Sequence, residues 1–520
     1  METVPSLWPE TAVFPLLTLL TLLPMLSSAA VLWSRSVPHA LQAAFFGALL
    51  NVALSIYLLI SFDADNTNVQ WFEQYHFFGM SYSVGLDGSN VLFIPLTAIL
   101  TLLALVYTLI TRHMTDRLFI ACLMGYQALL IGAFSALNVL QFWLWGVLEL
   151  LPLLLLTAHA GTGLNRRWAV ALVLQYWGSG LLMSLAGFLL LGFGLIDSEH
   201  PLTFDWLTLT QNNAYLHDEV LIFVLLFFAF AIRMPLFPFH GWLPVLAEQG
   251  TVASAVIFLV GLKMGIYGVI RFIFPMVPGV AEQWGGFVVT LGLISIFYGA
   301  VLALVQINIR RLLAFAVVSH TGMLVIGIFC FNAYGLEGGI LLSAVYGLAS
   351  AGMLFSVGLI YERTRTAYIP RLGGLFNTNT TIALLFMLCA LSTMVMPGTP
   401  GFDASHILIE GTIEEYGWLA AIAILLGNVL AAAFLLRAFQ QIFVAHAKRN
   451  HQPYSSSHHP VVKERIIAAA ISLLLIGTGF YTTPWLNLVD QSAAAITKHF
   501  PIHGTHPLDD EPTVEGQKHE

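Results

Sequence analysis

The chain has 520 residues, is 58% hydrophobic and only 9% charged, and carries a formal net charge of −8. Soluble domains are roughly one quarter charged, and no polar stretch here is long enough to build one. A soluble enzyme or soluble binding module is excluded, and a polytopic membrane protein is expected.

Apolar runs of about 20 residues, each able to cross a hydrocarbon core of roughly 30 Å as a helix, follow one another along the chain. Fourteen spans are expected, near residues 11–33, 40–61, 90–111, 118–136, 138–158, 167–196, 219–235, 252–275, 282–305, 308–331, 338–361, 378–411, 417–442 and 464–487. Asn138 is the only separator between spans 4 and 5. The runs are continuously apolar rather than alternating, which favours helices over a transmembrane barrel. The leader METVPSLWPE has two glutamates and no basic residue, so span 1 is expected to be a retained helix and not a signal peptide.

Cys122, Cys330 and Cys389 lie far apart in apolar runs, without any CxxC spacing. Iron–sulfur clusters and structural zinc are therefore not expected. Gly-rich nucleotide loops are missing as well. No metal and no cofactor is expected in this chain.

Basic residues set the orientation. Arg35 follows span 1, Arg112 and Arg117 follow span 3, and Arg166 and Arg167 follow span 5. Arg310 and Arg311 follow span 9; Arg363, Arg365 and Arg371 follow span 11; Lys448, Arg449, Lys463 and Arg465 follow span 13. The opposite loops hold Asp63, Asp65, Glu73, Asp197 and Glu199. By the positive-inside rule both termini are expected on the non-cytoplasmic side.

Spans 7 and 12 share a punctuation. The first reads RMPLFPFH, with Pro235 and Pro238; the second reads VMPGTPGF, with Pro397 and Pro400. Both contain M-P-x-x-P, five spans apart, so the two copies run oppositely through the membrane. Paired interruptions of this kind point to an inverted-repeat transporter with ions handled at the breaks; two ordinary proline kinks are the plainer alternative. The expected division is 1–117 (spans 1–3), 118–275 (repeat one, spans 4–8), 282–442 (repeat two, spans 9–13) and 443–520 (linker, span 14 and a polar tail).

Charges within apolar runs are costly, about 2.5–3.5 kcal/mol on insertion scales, and usually face protein or a wet route. Glu149, Arg233, Lys263, Arg271 and Arg437 qualify, as do Asp403, His406 and Glu410 in span 12. Arg271 and Arg437 sit nearer helix ends, where snorkelling is expected. Lys263 lies mid-run. Lysine can give up its proton when desolvated, whereas arginine effectively cannot. Arg233 is thus a poor proton carrier but a strong fixed charge.

Three blocks carry a family likeness: AFAIRMPLFPFHGWLP (229–244), VGLKMGIYGVIRF (260–272) and RRLLAFAVVSHTGM (310–323). GLDG (85–88), ELLP (149–152) and LIYER (359–363) fit the same pattern. Together they resemble the antiporter-like membrane subunits of respiratory complex I, of the subunit M type, or subunit 4 and its plastid and cyanobacterial equivalents. Mrp-type cation/proton antiporter subunits share the first two blocks. The resemblance implies an all-α polytopic fold of about fourteen helices, two inverted five-helix repeats and broken helices 7 and 12. It implies a proton translocator without redox centres, in which Glu on helix 5, Lys on helices 7 and 8 and an acid or Lys on helix 12 form a hydrophilic axis. On these positions stand Lys263 and, in place of the helix 7 lysine, Arg233. The helix 5 position holds Val147, while Glu149, about 200° further round the helix, matches a second glutamate of the plastid pattern. A helix 11 histidine is replaced by Tyr346, the helix 12 acid by Ser405, and the Asp after HGWLP by Val245. His240 and His320 keep family positions and suit proton relay.

Asp403, His406 and Glu410 fall at i, i+3 and i+7, one helix face. They are candidates to replace the missing acid at the end of the route. Asp403 as an N-cap and Glu410 as part of a solvated end beside Glu414 and Glu415 remain the plainer readings. The loop 451–460, HQPYSSSHHP, reads as a solvated linker. The expectation is a non-redox, proton-translocating subunit of a complex I-type NADH:quinone oxidoreductase in a bacterial inner membrane, binding neither NADH nor quinone. Its partners would be other membrane subunits, lipid, and H⁺ or Na⁺, with no nucleic acid. The alternatives are an Mrp-type antiporter, a paralogue serving a hydrogenase, formate-oxidising or inorganic-carbon uptake complex, and a structural spacer whose axis has decayed.

Overall fold

The computed structural model describes residues 11–77, 80–110, 116–194, 202–213, 216, 218–446, 462–498 and 500. Arg112, Asp197, Glu199, Lys448, Arg449, the loop 451–460 and the tail 501–520 lie outside them. All fourteen apolar segments are helical over most of their length. Among the described residues ten helices are long and apolar enough to cross a membrane, or eleven with Val462–Phe480 and Thr483–Thr497 taken as one span bent by 70°. The difference from fourteen has a physical origin. Span 3 yields only the 16-residue Phe93–Thr108, and spans 7 and 12 are broken into shorter pieces. The second half of span 12 also runs on into span 13 as Pro400–Phe439, interrupted at Gly417 with φ 73°.

One exception to the helical frame lies between spans 2 and 3, where β1 (Gln70–Phe77) and β2 (Met80–Leu86) form an antiparallel hairpin. Aromatic and β-branched residues suit such a strand pair, and Tyr75 lies opposite Tyr82 with ring centroids 6.2 Å apart. Glu73 projects from β1 onto the start of span 1, Leu16–Trp33. It accepts hydrogen bonds from the amides of Leu17 (2.7 Å) and Thr18 (3.1 Å), two of the donors that a helix N-terminus leaves without an internal partner. Burial raises the Glu73 carboxyl above its ordinary value, outweighing these bonds.

Two hydrogen-bond patterns recur five spans apart. Asn138 caps span 5, Val139–Ala160, by accepting from Leu140 N and Gln141 N; Asn308 caps span 10, Ile309–Ile328, by accepting from Arg310 N. Val139 N then donates to Phe204 O (3.0 Å) and Trp206 N to Leu137 O (2.8 Å). In the second copy Ile309 N donates to Ala367 O (3.0 Å) and Ile369 N to Ile307 O (2.9 Å). The same short bridge thus follows span 6 and span 11. At the breaks, Met234 N bonds Phe230 O and Leu236 N bonds Ala231 O, matched by Met394 N to Ala390 O and Met396 N to Leu391 O. Met234 therefore corresponds to Met394 and Pro235 to Val395, so the two M-P-x-x-P motifs are offset by two residues. Val395 has φ 62° and Gly398 φ 84°. A β-branched residue in the left-handed region is strained, and the strain sits at the break.

Burial sorts the spans. Spans 8, 10 and 11 are 94% buried over their apolar windows, whereas spans 1, 2, 5, 6 and 9 are buried over less than half. The centre of the chain is built by the helices that carry Lys263, His320 and Tyr346.

Candidate functional site

Span 7 runs as Glu219–Arg233, stops, and resumes as Trp242–Gln249. Pro235 and Pro238 lack an N–H, so the helical ladder cannot pass; the Phe237–Pro238 bond is cis. Groups freed by the break are taken up by neighbours. Phe237 N donates to Ser295 Oγ at 2.8 Å, and Trp242 Nε1 donates to Ile232 O at 3.1 Å.

Span 8 is also interrupted. Val252–Gly261 ends one residue before Lys263–Gly268, and a π-helical turn, Val269–Ile273, follows. Gly265 N turns back to Leu262 O (3.2 Å), and Gly261 O instead accepts from Arg233 Nε at 3.1 Å. The same guanidinium donates through Nη2 to Glu149 Oε2 and covers the Trp177 ring, 4.0 Å from its centroid. Arginine's planar fork can serve a carboxylate and a carbonyl at once. A Cβ at Gly261 would lie 2.6 Å from the Tyr126 hydroxyl and 3.0 Å from Glu149 Oε1; one at Gly265 would lie 2.6 Å from Met234 Cβ. These glycines let span 8 approach the end of span 7 and the pair.

Glu149 does not turn away from the centre, as its two-residue offset suggested. It is fully buried, because Phe142, Glu149, Leu153 and Leu156 form the inward face of span 5 at helical spacing. Val147, across the helix from that face, is half-buried.

Lys263 is 6% exposed and has no hydrogen-bond or ion-pair partner among the described residues. Its side chain passes Gly347 on span 11, Ala333–Thr364, and lies within electrostatic reach of His320. Both ring nitrogens of His320 are buried without a protein partner, and the ring stacks on Tyr346 with centroids 4.5 Å apart. Tyr346, at the position of the expected histidine, thus supports the ring of another. Ser343, Ser392 and Ser405 likewise bury hydroxyls that bond nothing among the described residues. Orphaned polar groups of this kind are those that ordered water serves. His240 is buried between Phe237 and Tyr298, at centroid distances of 5.9 and 5.1 Å, with Nδ1 unpartnered.

Asp403, His406 and Glu410 do share a face, but it lies toward the outside of the chain. His406 and Glu410 are exposed, and Asp403 accepts from the Thr482 hydroxyl at 2.5 Å. Ser405 faces inward instead, 1% exposed. Asp403 stands in the first turn of its helix, whose N-cap is Thr399.

Arg271 does not snorkel. It is 3% exposed and pairs with Asp87 of the GLDG stretch at 2.7 Å, with further bonds to Tyr267 (3.1 Å) and Ser89 (3.3 Å). The loop after β2 and the short helix Trp206–Gln211 close over the end of span 8, and Trp206 Nε1 bonds Arg271 O at 2.8 Å. A charge enclosed in this way requires a counter-charge. Arg437 is exposed at its helix end and donates to Leu304 O, as snorkelling predicts. Sequence reasoning also missed Arg310. It bonds Thr162 Oγ1 at 2.6 Å and covers the Tyr361 ring at 4.4 Å, beside a cavity that also contacts Thr157, Thr251, Ser254 and Ser350. Its neighbours come from three separated stretches, and no local spacing announces them. The three cysteines are buried and free, and no metal-binding group of His, Cys, Asp or Glu occurs among the described residues.

Comparison with known proteins agrees with this architecture. NADH-quinone oxidoreductase subunit M of Rhodobacter capsulatus is 30% identical, covering 93% of this chain and 97% of that protein. A chain of respiratory complex I from Thermus thermophilus superposes with a TM-score of 0.79 at 26% identity, covering 92% of this chain and 99% of that one. A chain of the Mrp complex from a Dietzia species shares the fold, with a TM-score of 0.81 at 20% identity over 93% and 98% of the two chains. The family described as NADH:quinone oxidoreductase/Mrp antiporter, transmembrane, matches residues 136–431, and with more than half of its length so matched the chain belongs to that family.

Proposed function

We propose that this chain is a proton-translocating, antiporter-like membrane subunit of a complex I-type NADH:quinone oxidoreductase. The observation that carries the reading is Lys263: buried in the centre, without a partner among the described residues, one residue after an interruption of the helical ladder, and within electrostatic reach of a histidine with two unpartnered ring nitrogens. A buried lysine in such a setting can exist in both protonation states. The chain binds other membrane subunits and holds no redox centre; electrons pass elsewhere in the assembly. It lies in a bacterial inner membrane with both termini non-cytoplasmic, and the ion is H⁺, with Na⁺ the alternative. The resemblance to subunit M over nearly the whole chain supports this assignment above an Mrp role.

The test is Lys263→Met in the assembled complex, with ions moved per electron measured in sealed vesicles. The ratio should fall while the complex remains assembled; an unchanged ratio defeats the pump reading. One observation favours the rival spacer role: Arg233 and Glu149 close on each other as a pair in which the arginine cannot give up its proton. A spacer would tolerate Lys263→Met, so the same measurement separates the two.

A further inference from the structure

Glu337, at the start of span 11, stands away from both breaks. It is 8% exposed and has no hydrogen-bond or ion-pair partner among the described residues. The groups that act on it and its surroundings are acids and a phenol. Asp490, on Thr483–Thr497 beyond the bend of span 14, acts on Glu337 itself. Tyr334, one turn earlier on span 11, is acted on by Glu410 and Glu414 of span 12 as well as by Glu337 and Asp490. Asn332 ties the elements together, donating to Gly411 O at 2.8 Å and to Glu414 at 3.4 Å. Span 11 thus packs against both span 12 and Thr483–Thr497, with Glu337 buried and Asp490, Glu410 and Glu414 exposed as an acidic rim at this end of the helices.

A buried carboxylate without a donor or a cation is costly in its charged form and is relieved by binding a proton. Two facing carboxylates also resist carrying both charges at once. A structural glutamate would have a lysine, an arginine or backbone amides for company, and none contacts Glu337 among the described residues. Tyr346, beside His320, lies nine residues further along the same helix, about 14 Å away at 1.5 Å per residue.

We propose that Glu337 is a proton-release site on the non-cytoplasmic side of this chain, binding one proton on its carboxylate and passing it to the rim of Asp490, Glu410 and Glu414. The step is a proton transfer between oxygens, with no redox change and no co-reactant. It rests on the proton-translocating reading above and supplies that reading with an exit that the Asp403, His406 and Glu410 face does not.

A fluorescent carbodiimide, which attacks protonated carboxyls in apolar surroundings, provides a test on the intact complex in vesicles, independent of pumping. Peptide mapping should find the label on Glu337 and lose it in Glu337→Gln. Absence of label at Glu337 overturns the site. Protection by sodium ions at constant pH overturns the proton assignment in favour of a sodium site. In parallel, Glu337→Gln should lower ions moved per electron, and Glu337→Asp should restore part of the loss. If Lys263→Met lowers the ratio and Glu337→Gln does not, release at Glu337 is refuted while the pump reading stands. If Lys263→Met has no effect, the pump reading and the release role fall together.

Discussion

Arg233→Met should be among the most damaging single substitutions in this chain. Glu149 is fully buried, and Arg233 is its sole ion-pair partner among the described residues. Removing one member of a buried pair costs about 3–5 kcal/mol, because the remaining charge is left uncompensated. The carbonyl of Gly261 also loses its donor, a further cost of about 1–3 kcal/mol for a buried acceptor. Both effects pass through one side chain and do not simply add, so a total of about 4–6 kcal/mol is expected. Whole-protein stability is only about 5–15 kcal/mol, and the variant should accumulate poorly or not at all. Arg233→Met with Glu149→Gln removes both charges and should regain about 2–3 kcal/mol, since replacing both partners is far less costly than orphaning one. Arg233→Lys keeps the charge but not the fork; losing one hydrogen bond, it should cost about 1–2 kcal/mol. Thermal denaturation in detergent and the amount of assembled complex in membranes read all three. A stable Arg233→Met, or a double variant as unstable as the sum of the single changes, would refute the argument that the pair holds this site together.

Arg271→Met should destabilise the chain by about 3–5 kcal/mol through the stranded Asp87, and Arg271→Met with Asp87→Asn should be milder; equal losses would show that the pair is not what closes the end of span 8. Glu73 holds its proton more tightly in the folded chain than its ordinary value of 4.5 allows, chiefly through burial. Its contribution is therefore full below that pH and lost as pH rises through the folded titration. Hydrogen exchange at the start of span 1 should accelerate over that window, and Glu73→Gln should flatten the response. Reporter fusions at Glu520 and in the loop around Lys448 should give opposite readings, outside and cytoplasmic, if the basic loops set the orientation by the positive-inside rule; equal readings would mean a span too many or too few.

The gross fold was legible because membrane physics leaves few solutions: long apolar runs become helices, and prolines break them. What escaped was whatever depended on partners distant in sequence. The hairpin between spans 2 and 3 alternates only weakly and owes its place to Glu73 gripping the start of span 1. Arg271 sits near a helix end, where snorkelling is the default, and only the fold of the GLDG loop brings Asp87 within 2.7 Å. Glu149 was visible as a charge in an apolar run, but the direction it faces depends on which side of span 5 is buried. The motif match between spans 7 and 12 pointed to the right pair of helices in the wrong register, because M-P-x-x-P aligns residue types whereas the repeat is defined by backbone hydrogen bonds. Glu337 was missed because it begins an apolar run, where an acid looks like a helix end; its burial comes from Thr483–Thr497 folding back beneath it.

Arginine at position 233 limits how charge can move beside Lys263 on the proposed reading. A lysine there could alternate between holding and releasing a proton, but the guanidinium cannot. Glu149 cancels its charge, and Gly261 O anchors it to the residue just before the interruption of span 8. On the proposed reading the pair is a fixed, neutral anchor, and Lys263 is the group whose charge changes. Any such change is felt on the other side, by His320 with its unpartnered ring nitrogens and by Tyr346 stacked upon it. On the proposed reading, coupling would run from the interruption of span 8 into spans 10, 11 and 12, where Ser343, Ser392 and Ser405 leave polar groups free for water. The proposed route accordingly runs from Lys263 toward the orphaned hydroxyls of Ser343, Ser392 and Ser405.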